Sequence, residues 1–375
     1  MPHPHPTPAR PRLLGLTALL GALLTACTGT TEDLPVIRLA LLTDGGQTLR
    51  TLTPGPESAA NTDDATLPIQ NGVSVDVLAN ATRYALTRRA GIEARPAPNT
   101  PPAEGQPFTA PPAAQFPAGP CFTAVALSAG RDRLLALSDC PNDVQRLALY
   151  RADGSLVWTA RLPVYLPPSG QEDIPPVRLA VLTGPGTELG VVARPVLGGG
   201  SEVLRVAPAQ VGNTVADVVS TVNTPVIRDL APYAGGVVAA TDSGLQPLRD
   251  TGALNPEATL RAFGTTRYDR VWSVPVGGTP LLAAWRSNIR AGTTSQPLRL
   301  WDGRATQTDN SAATVDAFVT DLRDVTVDPQ GFLYALTATT LTRYDTALGL
   351  AQGSWRPRVL LSGLTDSRSV TWVLP

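Results

Sequence analysis

The sequence contains no lysine, and its two histidines and its one methionine lie within the first five residues. All 30 basic side chains are therefore arginines. If the N-terminus is removed, Ser-His-Asp and Cys-His catalysis, histidine-ligated metals, lysine Schiff bases and a P-loop lysine are all excluded. The formal charge of −1 also leaves no basic footprint for nucleic acid.

The N-terminus has the organisation of a secretory signal. Arg10 and Arg12 precede an apolar run over residues 13–24, which is too short for a membrane span, and small residues follow it. The residues Leu24-Thr25-Ala26-Cys27 resemble the lipobox of bacterial lipoproteins. The resemblance implies that residues 1–26 are removed and that Cys27 is lipidated.

Lipidation of Cys27 would tether the protein to the extracytoplasmic face of a membrane, with residues 27–34 as the tether. Thr28 stands where an Asp retention signal would stand, which favours the outer membrane in a diderm host. The alternative is an ordinary secreted protein that is cut after Ala26.

Cys121 and Cys140 are the two cysteines left after cleavage, and they predict a disulfide in an oxidising compartment. They flank two strand-like runs, and a two-residue type II′ loop at Gly130-Arg131 would place them directly opposite each other. A redox-active pair is the weaker alternative, because no Cys-x-x-Cys spacing or basic neighbour is present.

From residue 35 onward, short apolar runs are separated by Gly, Pro, Asn and Asp, which is typical of an all-β protein. A unit of apolar strand, tight turn and second apolar strand recurs at intervals of 44 to 56 residues, the range of propeller blades. The first strands of these units begin near Val73, Cys121, Val177, Val226, Arg270, Leu322 and Ser367.

These repeats predict a β-propeller over residues 35–375, with seven blades and with six or eight as alternatives. The last repeat lacks its outer strands, and the run after Pro35 lacks a first strand. We expect the N-terminal strands to complete the last blade and close the ring. A pair of β-sandwich domains is the alternative architecture.

Two segments resemble known propeller blades. The first resembles the blade motif of quinoprotein-like propellers through Asp153, Gly154, Val157 and Trp158. The second resembles blades of NHL and gluconolactonase-like propellers through Asp328, Pro329, Gly331 and Tyr334. Each match covers one blade, and the resemblance implies a fold without an activity. Quinoprotein-like propellers with a lipobox also include the lipoprotein that assists insertion of outer-membrane β-barrels.

Two stretches interrupt the repeats. Residues 95–120 are rich in proline and predict an exposed, polyproline-like excursion between blades, and residues 55–71 predict a polar loop. The tryptophans alternate with apolar neighbours, which favours packing between blades over a sugar-stacking platform; they are Trp158, Trp272, Trp285, Trp301, Trp355 and Trp372.

Only carboxylates, arginine, tyrosine, serine and a bound cation remain for catalysis. The candidate acids are Asp63, Asp64, Glu172, Asp173, Asp242, Asp321 and Asp324. We interpret each as a turn or strand-end residue, so we expect no catalytic residues, no metal and no cofactor.

The sequence therefore predicts a membrane-anchored binding or scaffold module for an envelope protein or polymer, with recognition by loops on one face. The alternative is a propeller hydrolase or lactonase that uses carboxylates and Ca²⁺. Three or more acids converging on the channel would favour the enzyme, whereas a channel of Thr, Ser and backbone would favour the binding module.

Overall fold

The chain folds almost entirely into antiparallel β-strands. A computed structural model describes residues 36–56, 61–97, 104–170, 172–184, 187–274, 279, 281–287, 295–303 and 307–375, without the side chains of residues 63, 64 and 187. The predicted signal peptide, Cys27 and the tether over residues 27–34 lie outside the described residues.

Most strands pair with the next strand along the chain, so that they form successive up-and-down meanders. The strands are β1 (Arg38–Thr43), β2 (Thr48–Thr53), β3 (Thr62–Pro68), β4 (Gly72–Val77), β5 (Arg83–Arg88), β6 (Gly91–Pro96), β7 (Gln106–Pro107), β8 (Phe122–Leu127), β9 (Arg133–Ser138), β10 (Arg146–Arg151), β11 (Leu156–Arg161), β12 (Arg178–Gly184), β13 (Thr187–Pro195), β14 (Ser201–Pro208), β15 (Val215–Thr224), β16 (Ile227–Tyr233), β17 (Gly236–Thr241), β18 (Gly244–Pro247), β19 (Arg270–Ser273), β20 (Leu282–Trp285), β21 (Leu298–Trp301), β22 (Ala313–Asp316), β23 (Leu322–Val327), β24 (Phe332–Thr337), β25 (Thr340–Asp345), β26 (Arg358–Ser362) and β27 (Ser369–Val373).

The meanders are arranged as a β-propeller, as the repeats predict. Over the described residues, hydrogen bonds define five sheets of three or four strands and one sheet of eight strands. The eight-stranded sheet contains two meanders, β8–β11 and β12–β15, joined by a short parallel pairing of Thr159 with Val215 and Ala160 with Ala216. The number of hydrogen-bonded sheets therefore does not by itself give the number of blades.

The ring closes through its first and last strands. β1 lies between β2 and β27, and Leu39 pairs with Trp372 while Leu41 pairs with Val370. Leu39 and Leu41 are completely buried. The predicted closure by the N-terminal strands is confirmed.

The hydrophobic cores lie between neighbouring meanders. Trp158 is completely buried among Leu135, Leu147, Val181 and Leu204, which come from the two meanders of the eight-stranded sheet. The other buried tryptophans also pack between meanders; they are Trp285, Trp301, Trp355 and Trp372. Inter-blade packing is confirmed for these five, whereas Trp272 is only partly buried.

The motifs that contain Asp153-Gly154 and Asp328-Pro329 form hairpin turns, as the sequence predicts. Gly154 has a φ of 86° in the β10–β11 hairpin, and Gly331 has the same φ in the β23–β24 hairpin. Asp328 accepts hydrogen bonds from the backbone N–H of Phe332 and from the hydroxyl of Tyr334. The aspartate therefore satisfies groups that the turn leaves without a ladder partner.

Each of the two stretches between the repeats contains an outer strand that was not predicted from the sequence. The predicted polar loop contains β3, which pairs with β2, and the proline-rich stretch contains β7, which pairs with β6. Phe108 and Phe116 are buried in the core beside Tyr150. The prediction of an exposed excursion is wrong for this part, because two aromatic side chains draw the segment into the gap between meanders.

A short helix, α1 (Thr346–Gln352), follows β25 and was not expected from the sequence. The Asp345 carboxylate accepts a hydrogen bond from the Leu348 N–H at its start, and Gly353 ends it with a φ of 71°. Among the described residues, no helix has the length and apolar character to span a membrane.

Cys121 and Cys140 form the predicted disulfide, with their Cα atoms 5.1 Å apart. The predicted geometry is wrong in two respects. The loop is longer than two residues, with Arg131 rather than Gly130 at positive φ. A β-bulge between Phe122 and Ala124 also shifts the register, so that Cys121 accepts a bond from Asp139 instead of facing Cys140.

We expect the double replacement Cys121→Ser and Cys140→Ser to lower the free energy of unfolding by about 3 kcal/mol, because the disulfide closes a loop of intermediate length in the unfolded chain. Urea denaturation of the oxidised wild type, the reduced wild type and the variant measures this difference. The reduced wild type should match the variant, and equal midpoints for all three proteins would contradict the prediction.

Candidate functional site

Seven strands surround a central cavity, which we call the channel. Its walls come from β4, β8, β12, β16, β19, β23 and β27, and its volume is about 380 Å³. These channel strands run in the same direction: Val75 lies beside Ser369 and Val77 beside Thr371. We call the face at which the channel strands begin the loop face.

Side chains connect several neighbouring channel strands. The N–H groups of Val75 and Val77 donate to the hydroxyls of Ser369 and Thr371, at 3.3 and 2.9 Å. Asp229 accepts from the Val271 N–H at 3.1 Å. These bonds satisfy backbone groups that have no partner in a sheet ladder.

Arginine side chains are concentrated where the channel strands begin. Arg178, Arg270, Arg323 and Arg368 all line the channel near the loop face. Asp229 and Asp324 lie among them. A β-bulge precedes each of these aspartates, in β16 and in β23, and bulges commonly redirect side chains near binding sites.

Asp229 is shared by two arginines. The Nε of Arg178 lies 3.2 Å from one carboxylate oxygen, and the Nε of Arg270 lies 2.9 Å from the other. Burial lowers the pKa of Arg178 to about 10; Asp229 opposes this change and the like charge of Arg270 adds to it. One carboxylate therefore faces two guanidinium groups.

Asp324 has hydrogen-bond donors on both oxygens. One oxygen accepts from the Trp272 indole at 3.1 Å and the Val325 N–H at 2.9 Å. The other accepts from the Ser369 hydroxyl at 2.8 Å and the Val370 N–H at 2.9 Å. Burial nevertheless raises the pKa of Asp324. Its bonds give Asp324 a structural role between β19, β23 and β27.

Asp76 is the channel carboxylate with an open oxygen. One oxygen accepts a hydrogen bond from the Ser74 hydroxyl at 2.6 Å. Burial raises the pKa of Asp76 to about 7, the Ser74 bond offsets part of the rise, and the charge of Asp324 adds to it. A carboxyl group with this pKa could exchange a proton near neutral pH.

Arg131 closes part of the far end of the channel. Its guanidinium lies over the Trp372 ring, 4.9 Å from the centroid, and its backbone has a φ of 57°. Burial lowers the pKa of Arg131. This arginine packs against an aromatic face instead of a carboxylate.

The predicted candidate acids do not form one site. Asp324 lies in the channel, while Asp321 pairs with Arg323 at its rim, 3.1 Å away. Asp173 and Asp242 meet at Arg228, which lies 3.0 and 2.6 Å from them. The side chains of Asp63 and Asp64 lie outside the described part of the structure.

The cluster around Asp173 is held by arginines. Burial alone would raise the pKa of Asp173, but hydrogen bonds from Arg267 and the charge of Arg228 outweigh it and lower the pKa. Glu172 and Asp173 line a neighbouring cavity of about 450 Å³ on the loop face. In the described ranges, no three His, Cys, Asp or Glu side chains are grouped so that they could hold a metal ion.

The channel fits neither of the two linings expected from the sequence. Three aspartates converge in it, but five arginines accompany them. Four residues of the channel lining were not expected from the sequence: Asp76, Asp229, Arg178 and Arg270. A signal was present: an arginine stands at the start of the first strand in five repeats, at Arg178, Arg228, Arg270, Arg323 and Arg368.

The chain matches no known protein-family model, and no curated protein matches its sequence. Solved structures are similar in fold. A Bacteroides uniformis protein named "putative 6-phosphogluconolactonase" has 12% identity and a TM-score of 0.59, with 91% of this chain and 100% of that chain covered. A Bacteroides fragilis protein of the same name has 11% identity and a TM-score of 0.55, with 92% and 99% covered.

The β-propeller domain of Myceliophteria thermophila Cps50 (Swd1) has 11% identity and a TM-score of 0.50, with 81% of this chain and 90% of that chain covered. At these identities the similarity concerns the fold alone. The chain is thereby similar to β-propellers over most of its length.

We expect Asp76→Asn to change how stability depends on pH. Because the pKa of Asp76 in the folded protein lies above its unfolded value of 3.8, the unfolded chain ionises first, and the wild type loses stability as pH rises towards about 7. The groups that act on Asp76 are Ser74 on its own strand and Asp324 on β23. Asp76→Asn has no carboxyl group to ionise at this position, so the stability of the variant should not fall in this way.

Thermal unfolding followed by circular dichroism between about pH 5 and about pH 8 tests this expectation. The difference in melting temperature should move in favour of the variant as pH rises. Glu257→Gln, at a carboxylate whose side chain is 88% exposed, is the control and should follow the wild type. Parallel curves for wild type and Asp76→Asn would contradict the assignment.

Proposed function

We propose that the protein is a lipid-anchored β-propeller of the bacterial cell envelope that binds another envelope protein through its loop face, without performing chemistry. The observation that carries this proposal is an apolar patch on that face. It consists of Val164, Leu166 and Leu197, whose exposed fractions are 73%, 82% and 76%. Exposed apolar groups brought together on a rigid surface are typical of protein-binding sites.

The patch lies on two loops that are held together. The Tyr165 hydroxyl donates to the Pro195 carbonyl at 3.1 Å, and Arg194 donates to the Pro163 carbonyl at 3.0 Å. The Arg194 guanidinium also lies over the Tyr165 ring, 4.9 Å from its centroid. Arg194 is 1% exposed and pairs with the partly exposed Glu202, so a buried arginine supports an exposed apolar surface.

The chemistry of the patch favours a protein over a carbohydrate polymer. Its side chains offer no hydrogen-bond donors or acceptors, which a polymer of sugars would require. Val36, the first described residue, leads into β1, whose start pairs with the end of β27. Val36 therefore lies at the face opposite the loop face.

We also propose that the ring has seven blades. Two observations support this number. Each of the seven channel strands begins one meander, and all seven line the same cavity. The eight-stranded sheet then counts as two blades, since the strand pairing that joins its halves is a short parallel one at their outer strands.

A photo-crosslinking amino acid placed at Leu166 or at Leu197 should capture the same envelope protein in living cells. The matched control is Val211, which is also 76% exposed but lies in the β14–β15 loop at the opposite face. Leu166→Glu, combined with the crosslinker at Leu197, should abolish capture, because a charge in an apolar interface is desolvated without a partner.

Equal capture from all three positions, or capture that persists in the Leu166→Glu variant, would contradict a protein-binding loop face. Capture of lipid alone at Leu166 would show that the patch inserts into a membrane, and would also contradict the proposal.

The anchor has a separate test. We expect Cys27→Ala to release the protein from the membrane fraction, since several buried acyl chains supply the affinity for the bilayer. Membrane fractionation and labelling with a palmitate analogue measure the result. Ser58→Ala is a suitable control, because it leaves the lipobox intact. A Cys27→Ala protein that remains in the membrane fraction would defeat the lipoprotein assignment.

A propeller lactonase is the second candidate function, and the open oxygen of Asp76 favours it. A channel carboxyl with a pKa of about 7 could act as a general base towards water. The two similar Bacteroides structures carry the name of a lactonase. Turnover of a sugar lactone by the wild type, with loss in Asp76→Asn and a rate profile that rises through about pH 7, would favour this candidate over the binding module.

A further inference from the structure

At the start of the channel, two arginine side chains share one aspartate. Arg178 and Arg270 come from β12 and β19, and Asp229 comes from β16 between them. Each arginine uses its Nε for the carboxylate. Two positive charges therefore share one negative charge in a partly buried place.

The other N–H groups of these two arginines are available to an acceptor in the channel. Arg270 donates one terminal nitrogen to the Arg323 carbonyl at 3.0 Å, and its guanidinium lies 4.8 Å from the centroid of the Trp272 ring. Arg178 gives its Nε also to the Arg228 carbonyl at 3.1 Å. In the described part of the structure, the bonds of Arg178 involve its Nε, and those of Arg270 involve its Nε and one terminal nitrogen.

The side chains that line the channel include more arginines than aspartates. Five arginines and three aspartates line it, whereas the complete chain has a formal charge of −1. Asp321 and Asp366 pair with Arg323 at the rim, so the excess positive charge lies with Arg178 and Arg270, which share Asp229. This excess attracts anions, and low-dielectric walls strengthen the attraction.

We propose that the channel binds a small oxyanion, the phosphate or carboxylate group of a small molecule, between Arg178 and Arg270. The planar guanidinium groups supply paired N–H donors for the oxygens of the anion, and Asp229 holds both of them in place. The cavity of about 380 Å³ admits a small metabolite and excludes a folded polymer. This site is separate from the apolar patch that carries the proposed function.

The probes are inorganic phosphate and citrate, titrated into the full chain at low ionic strength. Trp272 lies against Arg270 and contacts the channel, so its fluorescence should change saturably on binding. Isothermal titration calorimetry measures the affinity independently. A response to phosphate alone, or to citrate alone, distinguishes the two sources of the oxyanion.

Arg178→Gln should weaken binding by about tenfold to a hundredfold, because a hydrogen bond to a charged group contributes roughly that factor. Arg261→Gln is the matched control: it removes the same charge at an arginine whose side chain is 66% exposed and which pairs with Asp309 outside the channel. The control should bind like the wild type, apart from a small change at low salt.

A measurement on the wild type alone guards against misfolding of the Arg178 variant. Phosphate or citrate should raise the melting temperature of the wild type in proportion to binding, and sodium chloride at equal ionic strength should not. No saturable response to either probe would overturn the proposal. Equal affinities for the wild type and a folded Arg178→Gln protein would also overturn it.

Discussion

The shape of the channel depends on hydrogen bonds that side chains of one channel strand accept from the backbone of the next. Neighbouring channel strands run side by side in the same direction without forming a ladder. Asp229, Asp324, Ser369 and Thr371 accept N–H groups from Val271, Val370, Val75 and Val77. A polar residue at these positions therefore takes the place that a sheet partner has elsewhere in the molecule.

This use of side chains explains why acids in the channel are poor indicators of catalysis. Asp324 accepts four hydrogen bonds and joins three strands, so its carboxylate is fully occupied. Asp229 is occupied by two arginines and one N–H group. Of the channel carboxylates that the structure describes, Asp76 alone keeps an oxygen that faces the cavity, and its burial raises its pKa. In this channel an aspartate can therefore hold strands together or be available for catalysis, and most of them hold strands together.

The absence of lysine has a structural counterpart at Arg194 and Arg270. A guanidinium can donate through Nε to one partner and through its terminal nitrogens to others, which a lysine ammonium cannot do in one plane. Arg194 joins Glu202, the Pro163 carbonyl and the Tyr165 ring in this way. The apolar patch and the charged channel are therefore both built on arginine geometry.

The sequence was sufficient for the propeller, the ring closure and the disulfide, because each depends on spacing along the chain. It was insufficient where local pattern and tertiary packing disagree. Prolines around Phe108 and Phe116 suggest an exposed segment, but the two rings are buried by a neighbouring meander. The bulge beside Cys121 shifts a register that the turn alone cannot define. The arginines at the strand starts were visible, but their convergence depends on seven strands meeting around one axis.

Ring closure also has a consequence for how the chain reaches this structure. β1 cannot occupy its place between β2 and β27 until the last strand has been synthesised, because the two strands come from opposite ends of the propeller. Contacts between distant parts of a chain form slowly. Until then, Leu39, Leu41 and Leu42 belong to a hairpin with one unpaired edge, which is open to aggregation. A chaperone that covers this hairpin would therefore act before the ring closes.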